Sequence, residues 1–381
     1  MSESILLVVP GYPSDQHPYN NMFVHSRVKA YLQHGLKIDV FSVGMLSHTT
    51  TYEGVSVRFG TLGELKSLLQ EKSYPKILIH FAMRGILKVI AQDAPKTPLI
   101  IWVHGYEALS WKRRAAFFDV MTLHRLIGYF PVNLLQRRAY RDFIQTRTSA
   151  LHFVFVSQWM KDVFAQDIGI DMASIKASLI PNAIDTESFV YHPKDPQQRF
   201  KLLSIRPYTS KKYANDLAID AVLKLSQNEI FNQLTFTFVG KGRSFKTLTK
   251  PLQAFPNVTL RETYLNHQEI IALHQTHGIM LIPTRQDSQG VSMGEAMSSG
   301  LVPIASNNTA IPEFLDERCG YLTNNAQEIA DAILELVHDP DLFCRKSAAS
   351  SLRVSQQCGS GHVIQQELDL ILSDQNSREA S

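Results

Sequence analysis

Cysteine is scarce in this chain: three among 381 residues, at Cys319, Cys344 and Cys358. The number is odd, and no CxxC pair or Cys/His zinc spacing accompanies it. A disulfide framework and a zinc module are therefore excluded as organising features, and a reducing compartment fits. Long apolar runs are missing too. No stretch approaches the roughly 20 apolar residues of a membrane helix. The short run 5–10 follows Met-Ser-Glu-Ser, without the basic region of a signal peptide. The expectation is a cytoplasmic chain, with any membrane contact peripheral, at the inner face of the cytoplasmic membrane. Charge of one sign is also lacking. Lys and Arg number 38 against 35 Asp and Glu, a formal net charge of +3. So mild an excess does not point to nucleic acid.

What is present is an ordinary globular composition, 44% hydrophobic and 19% charged. At roughly 100–200 residues per domain, the length predicts two domains. Short apolar runs at 5–10, 38–43, 77–80, 99–104 and 151–157 read as strands buried on both faces. A helical pattern at 22–34 separates the first two. A second series of strands follows at 201–205, 234–239, 258–260, 279–283 and 302–305, with helices at 214–227, 268–274 and 292–299 between them. Repeated β-then-α is the pattern of a doubly wound parallel sheet. The chain thus reads as two α/β halves. The polar, Pro-bearing "FVYHPKDPQQR" at 189–199 marks the joint. The expected domains are 1–190 and 191–355, with 356–381 a final helix and tail packing back on the first domain.

The segment "PTRQDSQGVSMGEAMSSG" at 283–300 carries the most chemistry. It begins where a strand ends, the place where open α/β sheets bind ligands. Asp287 stands there, then a turn with Gly290, then a helix carrying Glu295. The free N–H groups of that helix start suit a phosphate, and carboxylates can grip paired hydroxyls. The plain alternative is that Asp287 ends a strand and Glu295 is a surface helix residue. In "SIRPYTSKKYAND", Arg206 ends a strand and Lys211 and Lys212 follow, cations that suit a pyrophosphate. A solvated loop is the commoner fate of such lysines. "FVGKG" places Gly240 and Gly242 in a strand-ending turn. Phe245 replaces the third glycine of a dinucleotide fingerprint, so NAD is discounted. "WVHGYE" puts His104 at a strand's carboxyl end, where an imidazole faces a ligand site or serves the fold.

These segments resemble the retaining glycosyltransferases of the GT-B fold grouped as family 4 (glycosyl transferases group 1). That family's element runs roughly E-x-FG-x-x-x-x-EAMA-x-G-x-PV. Gly290, Glu295, Ala296, Met297, Gly300 and Pro303 stand in register with it. The first acid is Asp287 instead of Glu. The resemblance covers about 5–321 and implies two Rossmann-like domains facing a cleft, the first binding the acceptor and the second the nucleotide sugar. It implies that Asp287 holds sugar hydroxyls and Glu295 the ribose. The amides of Gly290, Val291 and Ser292 would contact sugar and phosphates. Arg206 and Lys211 (or Lys212) would neutralise the diphosphate, and Gly240 and Gly242 would lie near the nucleotide. His104 becomes an active-site residue. "PGYPSDQHPYNN" resembles the family's acceptor loop, assigning Gly11, Tyr12, Asn20 and Asn21 to it, with asparagines where many members have paired glycines. Asn182 and Asp185 in "IPNAIDTESF" would fix a turn between the domains.

From 111 to 147, eight Lys or Arg stand against Asp119 and Asp142, interleaved with aromatic residues. This is the pattern of an interfacial helix on an anionic membrane, or of core-facing helices with a solvated basic face. Asp339-Pro-Asp341 sits in a helix-end turn and is not taken as a metal site. No cofactor is expected, since the resemblance implies metal-independent transfer. The implied activity is a hexosyltransferase moving a sugar, UDP-linked by default, to a glycan or lipid-linked acceptor with retention. A bacterial surface polysaccharide or lipopolysaccharide would be the product. The alternative is an inactive member of the fold that binds sugar nucleotides.

Overall fold

The computed structural model describes residues 4–14, 20–117, 123–147 and 151–373. They divide into two compact units. Unit 1 draws on Met1–Pro181 and Val363–Ser381, and unit 2 is Asn182–His362. The division falls ahead of the expected joint, and packing explains why. The Phe189 ring sits against His267 and His274, and Lys194 Nζ donates to the carbonyl of His274. "FVYHPKDPQQR" is therefore part of unit 2.

Unit 1 is built on an eight-stranded sheet. Its strands are β1 (Ile5–Val9), β2 (Ile38–Val43), β3 (His48–Tyr52), β4 (Val55–Gly60), β5 (Ile77–His80), β6 (Leu99–Val103), β7 (Leu151–Phe155) and β8 (Lys176–Leu179). They lie in the order β3-β4-β2-β1-β5-β6-β7-β8. All neighbours pair in parallel except β3 with β4. The runs read as strands are the central ones. β1, β5 and β6 are buried at every position, as covering helices on both faces require. The reading missed β3, β4 and β8, the last with no buried position. β3 is a polar edge strand, "HTTTY", and β4 alternates instead of running apolar.

The Ser360–Leu372 helix spans the second division, and from Val363 onward it belongs to unit 1. It is anchored by Glu367, which is fully buried. Its carboxylate accepts from Arg27 Nε (2.9 Å), Tyr31 Oη (2.6 Å) and Trp102 Nε1 (3.1 Å). A charge so deep is tolerated because it is paired and hydrogen-bonded on several sides.

Unit 2 holds a six-stranded, all-parallel sheet. Its strands are β9 (Lys201–Ile205), β10 (Thr235–Val239), β11 (Val258–Arg261), β12 (Ile279–Ile282), β13 (Val302–Ser306) and β14 (Tyr321–Thr323). Their order is β11-β10-β9-β12-β13-β14. The order reverses direction between β9 and β12, which makes that pair the switch point where such sheets bind ligands. Both strands end in segments singled out above: Arg206 follows β9, and Asp287 and Gly290 follow β12. No helix among the described residues is long and apolar enough to cross a membrane.

Candidate functional site

In unit 2, three loops meet beyond the carboxyl ends of β9, β10 and β12. Arg206 is buried, and burial lowers its pKa while the nearby charge of Asp287 opposes the shift. Its guanidinium donates to Ser292 Oγ (3.3 Å) and to the Pro283 carbonyl at 3.5 Å, both long bonds. Its Nε is buried with no partner. No carboxylate hydrogen-bonds it among the described residues. A buried guanidinium left this under-satisfied is costly to hold without an anion.

Gly240 and Gly242 shape the floor beneath it. A Cβ on Gly240 would lie 1.9 Å from the Arg206 carbonyl oxygen, and one on Gly242 would lie 2.4 Å from the Tyr208 carbonyl carbon. Arg206 N donates to Val239 O and Tyr208 N to Lys241 O, lacing the two loops together. Both glycines are thus required by close backbone approach.

The Val291–Ser298 helix starts at Gly290, which is left-handed (φ 86°), and no side chain caps it. The first-turn amides of Val291, Ser292 and Met293 therefore lack intrahelical acceptors, and Ser292 Oγ touches Arg206. Asp287 is partly exposed. Its Oδ1 accepts from the amides of Gln289 (3.3 Å) and Gly290 (3.0 Å), so one oxygen shapes the turn. Its Oδ2 has no partner among the described residues. The backbone at Asp287 is held by Thr309, itself left-handed at φ 50°, whose Oγ1 accepts from Asp287 N. Glu295 is partly buried, and burial together with the charge of Asp185 raises its pKa to about 7. Its carboxylate makes no hydrogen bond to a described residue. Asp185 is occupied by the amides of Glu187 and Ser188. Asn182 exchanges backbone bonds with the Gln289 side chain.

Of the two lysines, Lys211 is exposed. Lys212 Nζ lies 5.7 Å from the Tyr213 ring centroid, the same ring that carries the Arg206 guanidinium at 5.0 Å. The lysine turn is pinned by Arg285, which donates to Lys211 O and pairs with Asp216.

In unit 1, His104 follows β6 and is partly exposed. Its Nε2 lies 3.0 Å from His80 Nδ1, and its amide donates to Glu107 Oε1 (2.7 Å). Burial and the charge of Arg27 hold its pKa well below that of an ordinary histidine. Glu107 is buried, with a pKa raised to about 7 by desolvation. Neither His80 nor Glu107 was picked out from the sequence. The signal for His80 was there: "ILIH" and "IWVH" are parallel strands that each end in histidine.

The assigned acceptor loop is described in part. Gly11 has φ 86°, and Asn21 is left-handed (φ 55°) with its side chain donating to the carbonyls of Pro10 and Gly11. Asn20 is exposed. Tyr12 is buried, its hydroxyl 3.0 Å from His25 Nδ1, so it holds the loop from within. Residues 15–19 lie outside the described residues.

The Leu123–Arg147 helix carries most of the 111–147 stretch. Arg138 and Arg141 are exposed and Arg147 is buried, and several basic residues of 111–147 are tied to backbone or to a carboxylate. Arg113 pairs with Asp167, Arg137 and Arg141 donate to the carbonyls of Asp167 and Ile168, and Arg147 caps Ile90, Ala94 and Thr97. The polar Asn133 and Gln136 are buried. Asn133 binds Trp111 N and Leu109 O, and Gln136 binds Arg84 N and Ala82 O. Exposed beside them are large apolar side chains: Ile127, Phe130, Val132, Leu134 and Leu135. This part of the helix closes over the loops that follow β5 and β6, including the one that begins with His104.

Known proteins share this architecture. Sucrose-phosphate synthase from Thermosynechococcus elongatus is similar over 99% of this chain and 100% of that one, with 14% identity and a TM-score of 0.74. HepE from Anabaena, solved in complex with UDP, is similar over 97% and 100%, with 16% identity and a TM-score of 0.72. At such identities the likeness is one of fold. Among curated proteins, the sulfoquinovosyl transferase SQD2 of Arabidopsis thaliana is 21% identical over 315 residues, covering 76% of this chain and 59% of that protein. The chain thus spans less than two thirds of that relative's length. Residues 199–339 match the family described as glycosyl transferases group 1. The chain therefore has the α/β fold of the GT-B glycosyltransferase structures, and its residues 199–339 are similar to the glycosyl transferases group 1 family.

Proposed function

We propose that the protein transfers a sugar from a nucleoside-diphosphate sugar, UDP-linked, to a glycan or lipid-linked acceptor with retention of anomeric configuration. The observation that carries this reading is Arg206: a buried guanidinium with no carboxylate hydrogen-bonded to it, at the switch point of the sheet, against an uncapped helix start. Such a site is built for a dianion. Arg206, a lysine of the 211–212 pair and the amides of 291–293 would carry the leaving-group charge without a metal. Asp287 Oδ2 and the Glu295 carboxylate are the acceptors left for hydroxyls of sugar and ribose. HepE, solved with UDP and with UDP-glucose, supports the choice of base.

Thermal-shift titration with UDP, GDP, dTDP and ADP, then with their sugar conjugates, tests the donor. UDP is expected to raise the melting temperature by several degrees, with a further rise for one sugar, and Arg206→Ala to remove both responses. Silence from every nucleotide would overturn the donor reading. The product anomer, read by NMR, tests retention.

The outward apolar row on the Leu123–Arg147 helix supports a lipid-linked acceptor met at an anionic membrane surface, as in synthesis of a bacterial surface polysaccharide. Exposed Arg138 and Lys112 supply the nearby positive charge. The protein is expected to sediment with vesicles containing phosphatidylglycerol, and Val132→Asp with Leu135→Asp to weaken this at least tenfold. Equal recovery of wild type and variant would remove the membrane from the proposal.

A further inference from the structure

The contact between His80 and His104 has a directional consequence. β5 and β6 pair in parallel, with His80 opposite Trp102 in register. The His80 ring stacks on Trp102 at 4.7 Å and 19°, and Trp102 is held by Glu367. His80 is fully buried, and its second nitrogen, Nε2, has no hydrogen-bond partner. His104 is clasped by the rings of Phe23 (4.9 Å) and Phe81 (4.5 Å), and Phe81 adopts a left-handed backbone (φ 56°) to reach it. Its Nδ1 makes no hydrogen bond to a described residue.

The 3.0 Å contact between His80 Nδ1 and His104 Nε2 holds one proton. If His104 donated it, the proton of neutral His80 would sit on Nε2, a buried N–H with no acceptor. If His80 donates it, Nε2 is a bare lone pair, and the proton of His104 lies on Nδ1, on the partly exposed side. An orphaned N–H is the rarer defect in protein interiors. The positive charge of Arg27, felt by both rings, also favours a buried lone pair over a second N–H. Burial keeps both rings neutral, so a doubly protonated ring does not compete.

We propose that His80 is a positioning residue that locks His104 as the Nδ1–H tautomer, so that His104 offers a hydrogen-bond donor to a ligand oxygen and not a lone pair for proton abstraction. The chemical class of its ligand is an oxygen acceptor: a sugar hydroxyl or a phosphate oxygen. The assignment of that ligand rests on the glycosyltransferase reading above; the tautomer does not.

The test is a two-bond ¹H–¹⁵N correlation spectrum of ligand-free, ¹⁵N-histidine-labelled protein at pH 7. His104 is assigned by the signals that vanish in His104→Gln. The expected result is a neutral Nδ1–H imidazole at His104. In His80→Phe, which keeps the stacking and loses the bond, it becomes a tautomer mixture. His80→Asn, whose amide N–H can stand where Nδ1–H stood, restores the lock. An Nε2–H tautomer in the wild type, or an unchanged one in His80→Phe, overturns the proposal. If His80→Phe does not fold, the wild-type spectrum and His80→Asn still decide it. In turnover, His80→Phe is expected to raise KM about tenfold for the substrate whose oxygen His104 meets, the worth of one hydrogen bond, with UDP affinity falling alongside only if that oxygen is a phosphate's, and His80→Asn near wild type. A locked tautomer with no such KM change would remove the positioning role. Absence of any turnover would count against the transferase reading alone, because the spectrum needs no substrate.

Discussion

One methyl group is enough to disturb the anion site. In Gly240→Ala the new Cβ would lie 1.9 Å from the Arg206 carbonyl oxygen and 2.9 Å from a Tyr208 ring carbon. The first neighbour is backbone and cannot swing away, so the Arg206 loop must move. Overpacking of this kind costs about 1–3 kcal/mol, and the displaced guanidinium loses its place beside Ser292. The expected outcome is a melting temperature a few degrees lower and a lost response to UDP. Gly128→Ala is the control: a Cβ there meets nothing within 4 Å. A full UDP response in Gly240→Ala would show that the Arg206 loop does not hold the nucleotide. At this scale the sequence was informative wherever a residue's role follows from chain neighbours. Gly290 and the helix start behind it were legible, as was Asn21, whose side chain suits the left-handed region. The missing partner of Arg206 was not legible, and neither was the bond between His80 and His104. Both depend on what strands far apart in sequence bring together.

At the scale of elements, the buried strands were legible because helices on both faces leave no reason for polar residues in them. The edge strand β3 was not, because an edge needs no apolar run. The Leu123–Arg147 helix was legible only in part, for a physical reason. Its arginines were read as a solvated or membrane-facing basic set, yet Arg137 and Arg141 reach carbonyls at the end of the Gln158–Ile168 helix, where cations are favoured. Exposed apolar side chains, Ile127 to Leu135, stand beside exposed Arg138 and Arg141. The Ser360–Leu372 helix gives the sharpest element-scale prediction. Glu367→Ala removes three hydrogen bonds and takes the carboxylate from the buried Arg27 guanidinium, a loss of about 3–5 kcal/mol by precedent for broken buried pairs. All three tryptophans (Trp102, Trp111 and Trp159) lie in unit 1. Urea unfolding followed by tryptophan fluorescence therefore reads the right unit. A midpoint within error of wild type would mean that the helix does not anchor unit 1 through this carboxylate.

For the whole molecule, the balance of buried titratable groups sets the response to acid. Burial lowers the pKa values of His25, His80, His104, His274 and His277, that of His274 to about 3. The unfolded chain binds protons at these sites below about pH 6.5 while the folded chain does not. Their stabilisation is complete above that value and is lost as pH falls through it. Glu107 and Glu295 act the other way. Their folded pKa values, both about 7, lie above the unfolded carboxylate value. Their stabilisation is complete at low pH and declines as pH rises from about 4.5 to about 7. The histidines outnumber the two carboxyls, so unfolding near pH 5.5 takes up protons on balance, and stability must fall from pH 7 to pH 5. Unit 1 holds three of the histidines against one raised carboxyl, and unit 2 two against one. The tryptophan-detected melting temperature is therefore expected to drop more steeply with acid than one followed by a probe confined to unit 2, such as a dye on an engineered surface cysteine. A melting temperature that holds steady or rises toward pH 5 would mean that the buried histidines already carry protons in the folded chain. It would remove the neutral His80–His104 pair as well.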